Sequence, residues 1–171
     1  LNNETPSPRI LALPTRPMRV PSFRNPTVFR LSLNAYPPYW GTGISVAHLS
    51  ADWRRMEVVM RQRPWNMNAF GTHFGGSLFA MCDPHYVLLL IALLGRDYVV
   101  WDKSASIDFL RPGKGTVKAV FEWDDQQLAE IRERTAGGEK FEPRRTVEIS
   151  DSTGEIVARL NKVLYVRRTR S

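Results

Sequence analysis

The segment GGSLFAMCDPHYVLLLIALL, residues Gly75 to Leu94, is the most apolar part of this 171-residue chain. It is apolar on nearly every side of a helix, so it predicts a helix enclosed by other elements rather than one lying on a surface. Gly95 supplies a helix stop. Pro84 removes the backbone hydrogen bond to the carbonyl of Ala80, and it therefore predicts a kink inside the helix.

The same segment does not predict a membrane span. Its longest unbroken apolar run, Tyr86 to Leu94, has nine residues, whereas a spanning helix needs about 20. Asp83, Pro84 and His85 interrupt any extension of that run. We therefore expect a soluble chain.

The segments on both sides of this helix have the alternation of strands. Residues 54–63 place Met56, Val58 and Met60 on one face and mostly charged side chains on the other, which predicts a hairpin with the preceding strand and one solvated face. Asp151 to Gly154 is a strong hairpin turn between the last two strands. The predicted strands are residues 43–49, 54–63, 98–110, 116–123, 144–150 and 156–166.

Two shorter helices complete the predicted elements. Residues 27–35 predict a helix that stops at Pro37-Pro38, and residues 124–135 predict a polar helix with Asp125 as N-cap. Two strands, one buried helix and four strands indicate an α+β domain with a curved antiparallel sheet wrapped around the helix. Because one sheet covers only part of such a helix, we expect at least a homodimer.

The domain boundaries follow from composition. Residues 1–26 form a proline-rich arm, residues 27–168 a single domain with a helical insert near 124–138, and residues 169–171 a basic tail. Cys82 is the only cysteine, which excludes an internal disulfide and favours a reducing compartment, the cytoplasm. The net charge is +7, but no nucleic-acid-binding motif accompanies it, so we predict no nucleic-acid partner. The three histidines lack metal-ligand spacing, and we predict no metal.

The stretch NAFGTHFGGSLFAMCD, Asn68 to Asp83, ends in a single acid that we expect to be buried. Each of its residues has an ordinary structural interpretation. A buried aspartate is usually paired with a basic side chain or with backbone. Asn68 is typical of a turn, the Gly75-Gly76 pair of a close helix–sheet contact, and Cys82 of a small core residue.

The spacing of this stretch resembles the hotdog-fold thioesterases, in particular the phenylacetyl-CoA thioesterase branch and a neighbouring family of uncharacterised domains. The family pattern is Asn, two residues, Gly, two residues, His-Gly-Gly, and an acid seven residues after the last glycine. Asn68, Gly71, Gly75, Gly76 and Asp83 fit it. The resemblance extends from Pro37 to about Arg168. Phe74 occupies the place of the family histidine, and His73 lies one residue earlier.

This resemblance implies a hotdog fold and the hydrolysis of an acyl-CoA thioester to a free acid and coenzyme A. The amides of Gly75 and Gly76 would form an oxyanion hole at the helix start, where backbone donors are unpaired. Asp83 would act across a dimer interface as general base or nucleophile. Asn68 would hold the carbonyl or the attacking water.

The resemblance also implies how substrate is held. Phe74 and His73 would contact it, although His73 is more typical of a structural residue, and Arg111 and Lys114 would hold the phosphates of coenzyme A. No cofactor is implied beyond the coenzyme A of the substrate. The assembly would be a homodimer, or a tetramer built as a dimer of dimers.

Two other functions stay open at the level of sequence. The first is a hotdog scaffold without activity that binds a lipid-like ligand or a partner protein, which Phe74 in place of histidine favours. The second is an enoyl-thioester hydratase or dehydratase, suggested by Asp83-Pro84-His85, although the spacing of that pattern does not match.

Overall fold

The computed structural model describes residues 25–169. The predicted arm, residues 1–26, and the predicted tail, residues 169–171, therefore lie almost entirely outside the described residues. The helices are α1 (Pro26–Asn34), α2 (Pro37–Thr42), α3 (Gly75–Ala80), α4 (His85–Leu94) and α5 (Asp125–Arg134). The strands are β1 (Ile44–Leu49), β2 (Arg55–Arg61), β3 (Tyr98–Phe109), β4 (Thr116–Glu122), β5 (Lys140–Phe141), β6 (Arg144–Asp151) and β7 (Ile156–Arg168).

All strands belong to one antiparallel sheet in the order β1-β2-β4-β6-β7-β3, with the short β5 paired to β7. The inward faces of β2, β4, β6 and β7 meet α3 and α4. Met56, Phe121, Ile149, Leu160 and Leu89 are fully buried where they meet. The predicted α+β architecture, a curved antiparallel sheet around a central helix, is therefore confirmed.

The central helix is more sharply interrupted than predicted. A simple kink at Pro84 was expected, but α3 ends at Ala80 and α4 begins at His85, with turns between them. Pro84 is the N-cap of α4, a position where its missing N–H breaks no helical hydrogen bond. Asp83 therefore lies in a break between two helices, not inside one.

The stretch Gly75–Leu94 is, by length and composition, apolar enough to cross a membrane, and 50% of it is buried inside the protein. That burial is typical of a core helix. Its remaining apolar surface includes Val87, Leu88 and Ile91, which are only partly buried in the single chain.

One local prediction was wrong, and α2 and β5 were not predicted. The first helix ends before Pro37-Pro38 as predicted, but Pro37 also begins α2; proline is favoured in the first helical turn, where its missing N–H costs nothing. The N-cap of α5 is Asp124 and not Asp125. Its side chain accepts from the Gln127 amide while the Gln127 side chain accepts from the Asp124 amide, which is a complete capping box.

Candidate functional site

The loop between β2 and α3 is held in shape by Asn68. Its side-chain oxygen accepts from the amides of Phe70 (2.9 Å) and Thr72 (3.1 Å). Its side-chain nitrogen donates to Thr72 Oγ1 (2.9 Å) and to the carbonyl of His73 (3.3 Å). Gly71 closes the turn with a φ of 69°, which a side chain would strain. Both polar ends of Asn68 are therefore engaged inside the loop.

His73 joins this loop to the turn after β3. Its backbone amide donates to the carbonyl of Gly113 (2.9 Å), and its Nε2 lies 2.9 Å from the carbonyl of Gly115. The side chain is buried, and burial lowers the pKa of its imidazole. His73 therefore anchors the loop that leads into α3 in its neutral form.

The start of α3 exposes two backbone donors. Neither the Gly75 amide nor the Gly76 amide donates a hydrogen bond to any residue between 25 and 169. Two aromatic rings flank them: a Cβ atom on Gly76 would lie 2.4 Å from the Phe74 ring, and one on Gly75 would lie 3.0 Å from the Phe109 ring. A side chain on either residue would meet one of these rings, so glycine lets both rings pack closely against the start of α3.

A cavity of about 360 Å³ opens beside these donors. Its lining combines aromatic, apolar and small residues from α2, the loop and α3, namely Gly41, Thr42, Trp65, Asn66, Met67, Phe74, Gly76 and Ser77. The side chains of Thr42 and Asn66 are hydrogen-bonded to nearby carbonyls. Ser77 is buried, and its hydroxyl makes no hydrogen bond within the described part of the chain. Ser77 therefore adds an unpaired hydroxyl to the lining.

The Asp83 carboxyl group is not buried as the sequence suggested. Its side chain is 53% exposed in the single chain, because the break between α3 and α4 turns it outward. The six residues of α3, about 9 Å at the helical rise, separate Gly75 from the break in which Asp83 lies. One chain therefore keeps Asp83 away from the Gly75 and Gly76 amides, and the two groups are not brought together within it.

A buried ammonium lies beneath Asp83. The side chain of Lys162, on the inward face of β7, is 0% exposed. Its Nζ lies 2.8 Å from Asp102 Oδ1 on β3 and 3.6 Å from Asp83 Oδ1, and it donates to the backbone carbonyl of Asp83. Burial raises the pKa of Asp102, while Lys162 acts in the opposite direction.

The other titratable groups near the break are held neutral. Burial lowers the pKa of His85 to about 3, with a smaller contribution from Lys162. Its Nε2 lies 3.4 Å from the hydroxyl of Tyr39. Burial also raises the pKa of the Cys82 thiol to about 12 and that of Tyr39 beyond its ordinary range. Neither Cys82 nor His85 has the exposure or charge state of a catalytic group.

The two predicted phosphate-binding residues differ in their surroundings. Arg111 forms ion pairs with Asp151 (3.0 Å) and with Glu155 in the β6–β7 hairpin. Lys114 is exposed and makes no ion pair with any of residues 25–169. Arg111 is therefore committed to the fold, whereas the Lys114 ammonium is available to an anion.

Sequence reasoning missed Lys162 and Ser77. The signal for Lys162 was present, since Leu160, Lys162 and Leu164 share the inward face of one strand and a lysine breaks that apolar pattern. Ser77 carried no such signal, because a serine in the first helical turn is common whatever it faces.

Most of the chain matches one protein-family model. Residues 25–166 match the family model described as Domain of unknown function (DUF4442). None of the curated proteins matches the chain significantly. These 142 residues include every element of the fold except the end of β7.

Solved structures share the fold at low identity. The Pseudomonas aeruginosa protein PA5026, of unknown function and named a probable thioesterase, has a TM-score of 0.70 and 19% identity over 81% of this chain and 92% of its own. The Haemophilus influenzae thioesterase HI1161 has a TM-score of 0.59 and 15% identity over 85% of this chain and 92% of its own. The E. coli PaaI protein from the phenylacetic acid degradation operon has a TM-score of 0.57 and 16% identity over 88% of this chain and 94% of its own. The chain belongs to the DUF4442 family, and its fold is the hotdog fold found in thioesterases.

Proposed function

We propose that this protein is a thioester hydrolase that converts an acyl-CoA thioester to a free acid and coenzyme A. The observation that carries the proposal is the pair of unbonded amides of Gly75 and Gly76 beside a cavity of about 360 Å³. Structural relatives that are named thioesterases support the same reaction class.

The amides stabilise the charge that the reaction creates. Attack of water on the thioester carbonyl carbon places negative charge on the carbonyl oxygen. Backbone donors preorganised at that position lower the barrier, and loss of one such donor costs about 3–4 kcal/mol in measured cases. The intermediate then expels the coenzyme A thiolate, which takes up a proton, and leaves the carboxylic acid.

Asp83 supplies the base in this proposal. Its carboxylate accepts a proton from the attacking water, or attacks the carbonyl carbon itself to form an anhydride that water then cleaves. Asn68 acts indirectly, by shaping the loop that presents Phe74 and Gly75. Phe74 contacts the acyl group beside Gly76. His73 holds the loop in place through its hydrogen bonds to the turn after β3.

The proposed site is completed by a second copy of the chain. Asp83 lies beyond the opposite end of α3 from the amides of its own chain, it is half exposed, and the surface of α4 next to it is only partly covered. A homodimer brings Asp83 of one protomer to the amides of its partner and covers that surface; a tetramer would repeat this dimer. Lys114, which forms no ion pair within residues 25–169, would hold a phosphate of coenzyme A. The free Cys82 suits a reducing environment, the cytoplasm.

The two other functions find less support. A hydratase would use a histidine beside Asp83, but His85 is fully buried, neutral and turned toward Tyr39 and the Phe121 ring. A scaffold without activity would not require the unbonded amides or the exposed carboxyl group, although it would explain Phe74.

The test is thiol release from a panel of short, long and aromatic acyl-CoA substrates. We expect hydrolysis by the wild type and a loss of at least about 100-fold in Asp83→Ala and Asp83→Asn, because both lose the proton acceptor. Asp97→Asn is the matched control, since Asp97 is an exposed acid whose side chain makes no hydrogen bond or ion pair within the described chain. Hydrolysis of no substrate, or equal rates in wild type and the folded Asp83 variants, would reject the proposal in favour of a binding scaffold.

A further inference from the structure

Lys162 is an unusual residue for its position. It lies between Leu160 and Leu164 on the inward face of β7, and its side chain is completely buried. A charged group without a partner in such a place is very costly, so a buried lysine persists only where other groups compensate its charge. A methionine or leucine would fill the same space without that cost.

The compensating groups come from two separate elements. Asp102 on β3 provides a carboxylate oxygen at 2.8 Å, and the break between α3 and α4 provides both the carboxyl oxygen of Asp83 at 3.6 Å and its backbone carbonyl. The ammonium therefore bridges the edge strand of the sheet and the point where the central helix is interrupted.

Among residues 25–169, Lys162 is the only basic residue that forms an ion pair with Asp83. The groups that face it from the neighbouring elements are Tyr39 from α2, Asp102 from β3 and Lys162 from β7, with Cys82 and His85 beside it in sequence. Tyr39, Cys82 and His85 are neutral near pH 7, because burial holds each in its uncharged form. Lys162 is thus the one cation among these groups.

We propose that Lys162 is a positioning residue for Asp83: its buried ammonium, anchored on Asp102, fixes the break between α3 and α4 and the direction in which the Asp83 carboxyl group faces. This inference rests on the proposed function for its catalytic consequence, but the positioning itself is independent of activity. Asp102 supports this role, because it holds the Lys162 ammonium in place when the Asp83 carboxyl group binds another partner.

The catalytic consequence is tested with Lys162→Met, which keeps the length of the side chain and removes its charge. We expect kcat to fall by at least about 30-fold with KM within about threefold, because the substrate pocket does not include Lys162. Lys162→Arg keeps the charge and should recover part of kcat. Lys118→Met is the matched control, since Lys118 pairs with Glu57 at 2.8 Å on the sheet and is partly exposed. Equal losses in kcat for Lys162→Met and Lys118→Met would overturn the inference.

A spectroscopic readout separates this inference from the proposed function. In the full-length protein labelled with ¹³C, the carboxyl resonances of Asp83 and Asp102 at pH 7 should both shift in Lys162→Met. Neither resonance should shift in Lys118→Met. An Asp83 resonance that stays in place in Lys162→Met overturns the positioning role, whether or not the wild type hydrolyses any thioester.

A second variant covers the case in which Lys162→Met does not fold. Asp102→Asn removes the anchor of the ammonium and leaves the lysine in place. We expect the Asp83 carboxyl resonance to move in this variant too, with a fall in kcat smaller than that of Lys162→Met. An unchanged Asp83 resonance in folded Asp102→Asn would contradict the bridge that we infer.

Discussion

Ser77 presents a hydroxyl to the cavity beside Gly76. The residue is 3% exposed, and its hydroxyl makes no hydrogen bond within the described residues. The hydroxyl oxygen is not among the fully buried polar atoms that lack a partner, so it is open to the cavity. A bound substrate or water would supply that partner.

Replacing Ser77 with alanine should therefore affect activity and not stability. No hydrogen bond within the described fold is lost, so we expect the free energy of unfolding to change by less than about 0.5 kcal/mol. Loss of one hydrogen bond to substrate, about 1–2 kcal/mol, should lower kcat/KM by roughly 5- to 30-fold. Urea denaturation and thiol release measure the two quantities. A large loss of stability with unchanged kcat/KM would show that the hydroxyl serves the fold.

His85 predicts a pH dependence of stability. Its folded pKa is about 3, because burial disfavours the imidazolium, while in the unfolded chain it titrates near its ordinary value of 6.5. Below that value the unfolded state binds the proton and the folded state does not. The contribution of His85 to the free energy of unfolding is therefore fully present above the unfolded pKa and is lost as the pH decreases from about 6.5 toward 3. His73, whose pKa is also lowered by burial, acts in the same direction.

The measurement is the free energy of unfolding at pH 7 and pH 5 in wild type and His85→Leu. The decrease between the two pH values should be smaller in the variant, which no longer has this titrating group. The same decrease in both proteins would mean that His85 takes up its proton in the folded state.

At the scale of elements, the break between α3 and α4, residues 81–84, sets the direction in which the Asp83 side chain points. In a continuous helix the residue would follow the turn of α3, whereas the break leaves it half exposed above Lys162. Pro84→Ala allows these residues to join one helix, because alanine restores the missing N–H and favours the helical conformation. The variant should fold with a Tm close to that of the wild type and lose at least about tenfold in kcat. A normal kcat in Pro84→Ala would show that the break does not matter for the reaction.

The elements were largely predictable because their periodicity is a local property. The alternation of Met56, Val58 and Met60 correctly predicted which face of β2 is buried. Side-chain direction at the helix break depends on contacts distant in sequence, and so the exposure of Asp83 was not predictable. The start of α2 at Pro37 was missed because proline was considered only as a helix stop.

At the scale of the whole molecule, several parts of the chain keep exposed apolar surface or an unpaired edge. α4 keeps partly exposed apolar side chains, β3 is one of the two edge strands of the sheet, and the large apolar side chains Trp65, Phe74 and Phe109 are exposed. Exposed apolar area of this kind marks an interaction surface. The prediction of a homodimer was drawn from one feature of the sequence, a helix too apolar for a single sheet to cover, and it stays a prediction.

The most direct test of the account is complementation between two inactive variants. Asp83→Asn removes the base, and Gly76→Val fills the space before the amide with a branched side chain. In a mixture that has exchanged subunits, half of the dimers are hybrids, and one of the two sites in each hybrid combines an intact Gly76 with an intact Asp83 from the partner. Thiol release should therefore return to about a quarter of the wild-type rate, with a solution mass about twice that of the 19.6 kDa chain. Hybrid dimers that form and remain inactive would contradict a site shared between two protomers.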